Sequence, residues 1–428
     1  MQTHLFPVTP APRLAGSTGI WPQPARIGES NFVHKSLSNW NFNIAVGCAH
    51  GCRFCYVPSL LKGRMSETMA DYGVEDPDAD WGKYVLLRRW DRDIFLHSLA
   101  KAEQTDPTTL ESGGNRAVIY CSTTDPYQTF RGQKSEEGEQ RENHLHHEAR
   151  GMVRESLELI RDYSTLNVRI LTRSPMAILD FDLFKSFGPR LMFGMSLPTL
   201  NDRLAQIYEP HAPSPSARLR CLERAAQYGL NTFVAVAPMY PEIDRRDLER
   251  TLGALAGLPL PIADCRLPIE EPPIEESGKS EIGNRKSAIP LTIFAEPINI
   301  RAENVARIAS HADRLGLKMR VEVFESRRAW EEYAIGQLRL IEVVAGDLGL
   351  SDRLHLWPDH ALGNRHTSER QADPAAYMRW ITGWWARRSE WPRASERQSV
   401  RASERAGASS EPRSHAQTLP RSDALTTP

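Results

Sequence analysis

The chain has 428 residues, 40% of them hydrophobic and 25% charged, with a formal net charge of −1. That composition is of the globular kind, and the near-neutral total excludes a whole-chain electrostatic case for nucleic acid or anionic membrane as partner. No apolar run approaches the roughly 20 residues that a membrane-spanning helix needs, and the N-terminus lacks the charged-then-apolar layout of a secretory signal. A cytoplasmic setting without a membrane partner is the expectation.

In chain order, residues 1–35 are rich in Pro and Gly and read as an irregular lead-in. From 36 to about 325, short runs rich in β-branched residues alternate with longer helix-period stretches. The strands are expected at 42–46, 117–121, 168–171, 191–195, 232–236 and 291–295, and the helices include 152–163, 217–228 and 302–315. Alternating β and α units imply a parallel sheet covered on both faces, which one α/β domain of about 250 residues can supply. Two stretches read as mobile surface insertions: a charged one near 131–143 and a Glu- and Pro-dense one near 268–287. Residues 326–388 are expected to form a helical extension. Beyond them, 389–428 is a Ser-, Arg- and Ala-rich tail expected to be disordered, in which Arg393–Arg397 recurs as Arg401–Arg405.

Polar and turn-forming residues gather where each expected strand ends. The first strand runs into Gly47-Cys48-Ala49-His50-Gly51-Cys52, and the second ends in Ser122-Thr123-Thr124-Asp125-Pro126-Tyr127. In a parallel barrel such ends converge on one rim, where active sites are built. Turn chemistry alone explains the prolines there but explains the cysteine loop and Asp125 poorly.

Of the six cysteines, Cys48, Cys52 and Cys55 fall within eight residues, while Cys121, Cys221 and Cys265 lie far apart. This is a metal-site pattern in a reducing compartment rather than a disulfide framework. Three sulfur ligands suit a cubane iron–sulfur cluster with one iron left open, whereas structural zinc takes four and would need His50 or a distant cysteine.

Cys48-x-x-x-Cys52-x-x-Cys55 followed by Tyr56, after the first strand of a repeating β/α chain, resembles the radical S-adenosylmethionine superfamily. Thr124-Asp125-Pro126-Tyr127-Gln128, Glu209-Pro210-x-Ala212-Pro213-Ser214 and Ala237-Pro238-Met239-x-Pro241 are similar to its spore-photoproduct-lyase-like branch. The resemblance spans roughly residues 38 to 320. It implies a partial (β/α)6 TIM-type barrel whose 4Fe-4S cluster, on Cys48, Cys52 and Cys55, chelates S-adenosylmethionine. One electron, from a flavodoxin- or ferredoxin-type donor, then yields a 5′-deoxyadenosyl radical that abstracts hydrogen from the substrate. Relatives in the branch point to a nucleic-acid lesion; a small molecule, a peptide or an RNA base is the alternative. A non-catalytic iron–sulfur or zinc protein that binds nucleic acid is a third reading.

Around the cofactor, Thr124 and Asp125 are candidates for its amine or ribose hydroxyls, though an Asx turn ahead of Pro126 explains Asp125 about equally. Arg173 offers a planar fork for a carboxylate, where relatives carry Lys; Ser196 is a small donor; Tyr56 could pack on adenine or shield the cluster. Cys121 is a candidate hydrogen-atom donor. However, it precedes Asp125 by four residues rather than the branch's three, and strand alternation then turns the thiol to the other face, as a buried strand cysteine. Near the C-terminus, Tyr377, Trp380, Ile381, Trp384 and Trp385 recur at helical spacing beside Arg387 and Arg388. That stripe reads as a helix docked on the barrel, with base stacking the less frequent use.

Overall fold

The computed structural model describes residues 17–30, 37–63, 65–130, 136–258, 291–301, 303–363 and 367–387. Eleven strands occur in them: β1 (Ser17–Pro24), β2 (Ile27–Glu29), β3 (Trp40–Phe42), β4 (Ala45–Gly47), β5 (Tyr84–Arg89), β6 (Ala117–Tyr120), β7 (Asn167–Thr172), β8 (Leu191–Ser196), β9 (Thr232–Met239), β10 (Thr292–Pro297) and β11 (Leu354–Leu356). The helices are α1 (Val57–Leu61), α2 (Ser66–Ala70), α3 (Arg92–Glu103), α4 (Glu136–Tyr163), α5 (Phe181–Ser186), α6 (Asp202–Tyr208), α7 (Pro215–Gln227), α8 (Arg245–Ala256), α9 (Asn304–Arg314), α10 (Arg327–Asp347), α11 (Ser368–Ala372) and α12 (Pro374–Arg387), with short 3-10 turns between them. None of these helices is long and apolar enough to cross a membrane.

The main sheet runs β11-β10-β9-β8-β7-β6-β3-β2, parallel throughout except for the antiparallel β2–β3 edge. From β3 to β11 the chain takes its main-sheet strands in spatial order, the winding of an open TIM-type barrel. Both faces are buried, as near-continuous apolar strands require. Val118, Tyr120, Val168, Ile170, Phe193, Met195, Val234 and Val236 join the helices' apolar sides, such as Leu157, Leu222 and Leu252, in the large core. The alternate residues Ile119, Met192, Phe233 and Phe294 meet Trp357 on the helix-free face, the barrel interior. Side-chain caps fix several helix starts: Ser214 before α7, Asp244 before α8 and Ser326 before α10 each accept a backbone N–H of the first turn.

Four expectations need correction. The strand expected at 42–46 is two strands in two sheets. After β3 the chain turns at Asn43 and Ile44, and β4 pairs with β5 in a three-stranded sheet ordered β1-β5-β4. Residues 1–35 are not wholly irregular, because β1 lies parallel to β5 with Trp21 buried, and β2 pairs with β3. The prolines of β1 are tolerated because it is an edge strand. The charged stretch 131–143 is helical from Glu136 onward, the first turns of the 28-residue α4. Its polar residues extend an amphipathic helix whose later turns bury Met152, Val153, Leu157 and Ile160. The extension at 326–388 is not purely helical, since β11 adds to the sheet beside β10. The insertion at 268–287, Cys265, and the tail from 389 lie outside the described residues.

The aromatic stripe docks α12. The Tyr377 hydroxyl donates to Leu362 O at 2.6 Å, the Trp380 and Trp384 indoles donate to Glu342, and the Trp385 indole donates to Pro358 O at 3.0 Å.

Candidate metal and cofactor site at the barrel rim

The cysteine loop leaves β4 through Gly47 at φ 90, where an added Cβ would lie 2.3 Å from Tyr84 O. It turns again at Gly51, φ 58, which packs against Gly82. Both positions lie in the left-handed region that glycine occupies without strain. Cys48 and Cys52 are buried and Cys55 is half-buried, all three as free thiols. Burial pushes the three thiols up, Cys48 well above its ordinary value with Cys52 adding to the effect, and Cys52 to about 12. Unligated, they stay protonated at neutral pH; a bound cation is what could draw off their protons.

The turn after β6 holds this loop in place. Thr124 Oγ1 donates to Gly47 O at 2.6 Å and receives the Gln128 amide at 2.5 Å, while Gln128 Oε1 accepts the Ala49 N–H at 2.7 Å. The Tyr56 hydroxyl donates to Ser122 O at 2.9 Å, and Arg53 N donates to Tyr208 O at 2.8 Å. Asn43, at the step between the two sheets, accepts the Thr123 N–H and hydroxyl and donates to Ser122 Oγ. The loop is therefore fastened on both sides by bonds to backbone groups that would otherwise be buried and unpaired.

Asp125 is buried and bonded throughout. Its Oδ1 accepts Tyr127 N and Thr172 Oγ1 at 2.9 and 2.7 Å, and its Oδ2 accepts Arg173 N at 2.8 Å, with His50 Nδ1 3.6 Å away. It thus forms the Asx turn and also ties the β6 exit to the β7 exit. Burial lowers the His50 pKa to about 4 against the pull of Asp125, so the ring is neutral. Among the described residues no three His, Cys, Asp or Glu side chains converge on a point for a single metal ion. Three thiols along one fastened loop, with no fourth ligand gathered to them among the described residues, suit a multi-iron cluster with one iron open.

Beside the loop lies a buried ionic triad. Arg173 Nε donates to Glu209 Oε1 at 2.6 Å, and Arg218 Nη1 stands 2.5 Å from Glu209 Oε2. Glu209 and Arg218 are 2% and 1% exposed, so neither charge could persist without the other. Burial pushes the Glu209 carboxyl up, yet Arg218 and Arg173 together outweigh it and hold the group below the usual carboxylate range. The Arg173 guanidinium also lies over the Phe54 ring, 5.5 Å from its centre. Ser196 is buried, its hydroxyl donating to Ala237 O at 3.1 Å and its carbonyl accepting Arg218. The structure thus ties Tyr56 and Thr124 to the cysteine loop directly and links Asp125 and Arg173 to the β7 exit beside it, while Ser196 is tied to Arg218 on the far side of the triad. The sequence reading gave no site role to Asn43, Gln128, Glu209 or Arg218; of these only Gln128 and Glu209 stood in words already singled out.

Cys121 needs a correction of reasoning. β6 ends at Tyr120, and Cys121 has φ 62 with its N–H on Phe42 O, so strand alternation does not reach it. Its thiol is buried in the large core, while Ser122 carries the contacts to Asn43 and Tyr56.

Comparisons with known proteins agree with this geometry. The uncharacterized protein ORF301 of Acidianus two-tailed virus is 30% identical over 245 residues, covering 56% of this chain and 70% of that protein. The uncharacterized protein MJ0683 of Methanocaldococcus jannaschii is 21% identical over 211 residues, 49% of this chain and 63% of that protein. Among solved structures, a single-site mutant of spore photoproduct lyase superposes with a TM-score of 0.50 at 13% identity, over 80% of this chain and 81% of that one. A double mutant of the same lyase, with bound AdoMet and dinucleoside spore photoproduct, does so at 12% identity with the same TM-score and coverage. These share the fold. The radical SAM superfamily model matches residues 42–255, the stretch that carries the cysteine loop, its fastening turn and the triad, and the chain belongs to that superfamily.

Proposed function

We propose that Cys48, Cys52 and Cys55 hold a 4Fe-4S cluster and that the protein uses it, with S-adenosylmethionine, to abstract hydrogen from a substrate. The observation that carries this reading is the fastened loop: three disulfide-free thiols held at the strand-end rim by Thr124 and Gln128. When bound, the cluster and S-adenosylmethionine together supply one-electron cleavage of a carbon–sulfur bond and the hydrogen abstraction that follows. The chain's own part is to hold and orient. Arg173, anchored through Nε on Glu209, presents its remaining nitrogens to a carboxylate, the pairing its planar fork favours. Thr124 and Asp125, already committed to internal bonds, act as positioning residues that keep the loop and the β7 exit in register. Tyr56 closes the loop against the β6 exit and covers the sulfur-rich side of the small core.

For the substrate class we propose a nucleic-acid lesion, supported by the fold shared with spore photoproduct lyase, which has been solved with dinucleoside spore photoproduct. A flavodoxin- or ferredoxin-type protein is the proposed electron donor. The test is anaerobic reconstitution with iron and sulfide, followed by reductant and S-adenosylmethionine. A brown protein that forms 5′-deoxyadenosine supports the reading, and a colourless zinc protein ends it. Deuterium carried from labelled DNA containing thymine lesions into 5′-deoxyadenosine identifies the substrate class. Transfer only from small molecules, peptides or RNA bases assigns it to one of those instead.

A further inference from the structure

The third cysteine is gripped from the opposite end of the sheet by α9, some 250 residues later in the chain. Arg307 Nη2 donates to the carbonyl of Cys55 itself, and its Nη1 pairs with Asp78 Oδ1. Asp78 is in turn 2.8 Å from Lys62 Nζ through Oδ2. One turn earlier on α9, Asn304 Nδ2 donates to Phe54 O at 3.2 Å and to Asn299 O at 2.8 Å. Arg307 and Asp78 are nearly excluded from water, with side chains 9% and 5% exposed. Arg307 Nε is buried without a hydrogen-bond partner among the described residues.

A guanidinium that gives up its hydration and leaves one donor unused needs a compensating negative charge beyond one carboxylate, particularly when that carboxylate is shared with a lysine. An anionic cluster bound on the neighbouring cysteines would supply that charge, and Arg307 is already seated against the backbone of the third of them. Hydrogen bonds and net charge next to a cluster set its reduction potential, and the groups that hold its ligands set its metal affinity.

Resting on the cluster assignment above, we propose that Arg307 is a positioning residue for Cys55 and a resident cation of the iron–sulfur centre on the side away from Arg173's partner Glu209. It stabilises the more negatively charged, reduced state and slows loss of the iron bonded to Cys55. Asn304 does the uncharged half of the work, fixing the Phe54 carbonyl. Lys62 and Asp78 hold the guanidinium in place.

The test uses the full chain, reconstituted anaerobically, as wild type, Arg307→Lys, Arg307→Gln and the charge-neutral double variant Asp78→Asn/Arg307→Gln. The double variant leaves no buried Asp unpaired and so covers the case in which Arg307→Gln alone does not fold. The readouts are the midpoint potential, from a redox titration followed by electron paramagnetic resonance, and the rate of iron loss to a chelator. The expected result is a more negative potential and iron affinity lowered about tenfold or more when the cation is removed. Arg307→Lys should return the potential toward wild type. A wild-type potential and chelation rate in the double variant, or a Lys variant as shifted as the Gln variant, overturns the proposal. A wild-type protein that binds no iron instead defeats the cluster assignment itself, a result the wild-type arm alone reveals.

Discussion

The cysteine loop and α12 make an instructive pair, because both carry residue types associated with chemistry at regular spacing. On α12 the chain's own acceptors use the polar tips of the aromatic residues: Tyr377 meets Leu362 O, Trp380 and Trp384 meet Glu342, and Trp385 meets Pro358 O. Arg339 and Arg387 lie over the Trp380 and Trp384 rings, as surface cations do on any docked indole. In the cysteine loop the opposite holds. The backbone is fastened at Gly47, Ala49, Arg53, Phe54 and Cys55, while the three thiols are free of disulfides and face only backbone N–H groups of their own loop. Fastened backbone around reactive groups that no other side chain uses marks a prepared site, and the reverse marks scaffold.

The sharpest way to break this contrast is to remove the sulfurs. Cys48→Ala, Cys52→Ala or Cys55→Ala should each abolish the brown chromophore after reconstitution and reduce 5′-deoxyadenosine formation to background. Their far-ultraviolet circular dichroism should match wild type, since the bonds that tie the loop to its neighbours run through its backbone and Tyr56 rather than through the thiols. A single variant that keeps full cofactor cleavage would remove that cysteine from the ligand set.

Next in size is the triad. Replacing Glu209 by Gln strands Arg173 and Arg218, and breaking a buried pair in this way costs about 3–5 kcal/mol, measurable by denaturant unfolding. The pH dependence gives a second reading of the same carboxylate. Its folded pKa lies below the unfolded value of about 4.3, so its contribution is fully present above that value and is lost as pH falls through the folded pKa. The stability gap between wild type and Glu209→Gln should therefore narrow as pH drops below about 4.3. A gap that widens on acidification contradicts the depressed pKa.

A smaller and more local effect is expected at Gln128. Gln128→Ala leaves the Ala49 N–H without its partner and takes one donor from the Thr124 hydroxyl, which keeps Gly47 O, a cost of about 1–3 kcal/mol. Because both bonds end on the cysteine loop or the turn that fastens it, iron retention should fall along with stability, whereas a core change of equal cost should not affect iron.

How much of this was legible follows from how far along the chain each interaction reaches. The five barrel strands β6 to β10 and the α7 and α9 helices were readable from apolar periodicity, because each is a local pattern. The three cysteines proposed as ligands stood out because they sit within eight residues. The split of 42–46 into β3 and β4 was not, since it depends on pairing with β5 some forty residues later. The small sheet was hidden for the same reason, its β1 lying inside a Pro-rich stretch that sequence marks as irregular. Arg307 carried no local signal at all: an arginine on an amphipathic helix reads as surface until the fold brings Cys55 against it. Asp125 shows an intermediate case. Its turn was readable from the following proline, but its second role, joining two strand exits, needed Thr172 and Arg173 in place.

The smallest predicted effect completes the contrast at α12. Tyr377→Phe removes only a hydroxyl that donates to Leu362 O, so stability should fall by about 1 kcal/mol. The ring itself stays buried, and the helix keeps its indole contacts to Glu342 and Pro358. Iron content, midpoint potential and 5′-deoxyadenosine yield should match wild type, and affinity for single-stranded DNA should not change in a filter-binding assay. Loss of DNA affinity without loss of stability would mean that the stripe contacts bases, and α12 would then have to be counted with the rim as part of the working surface.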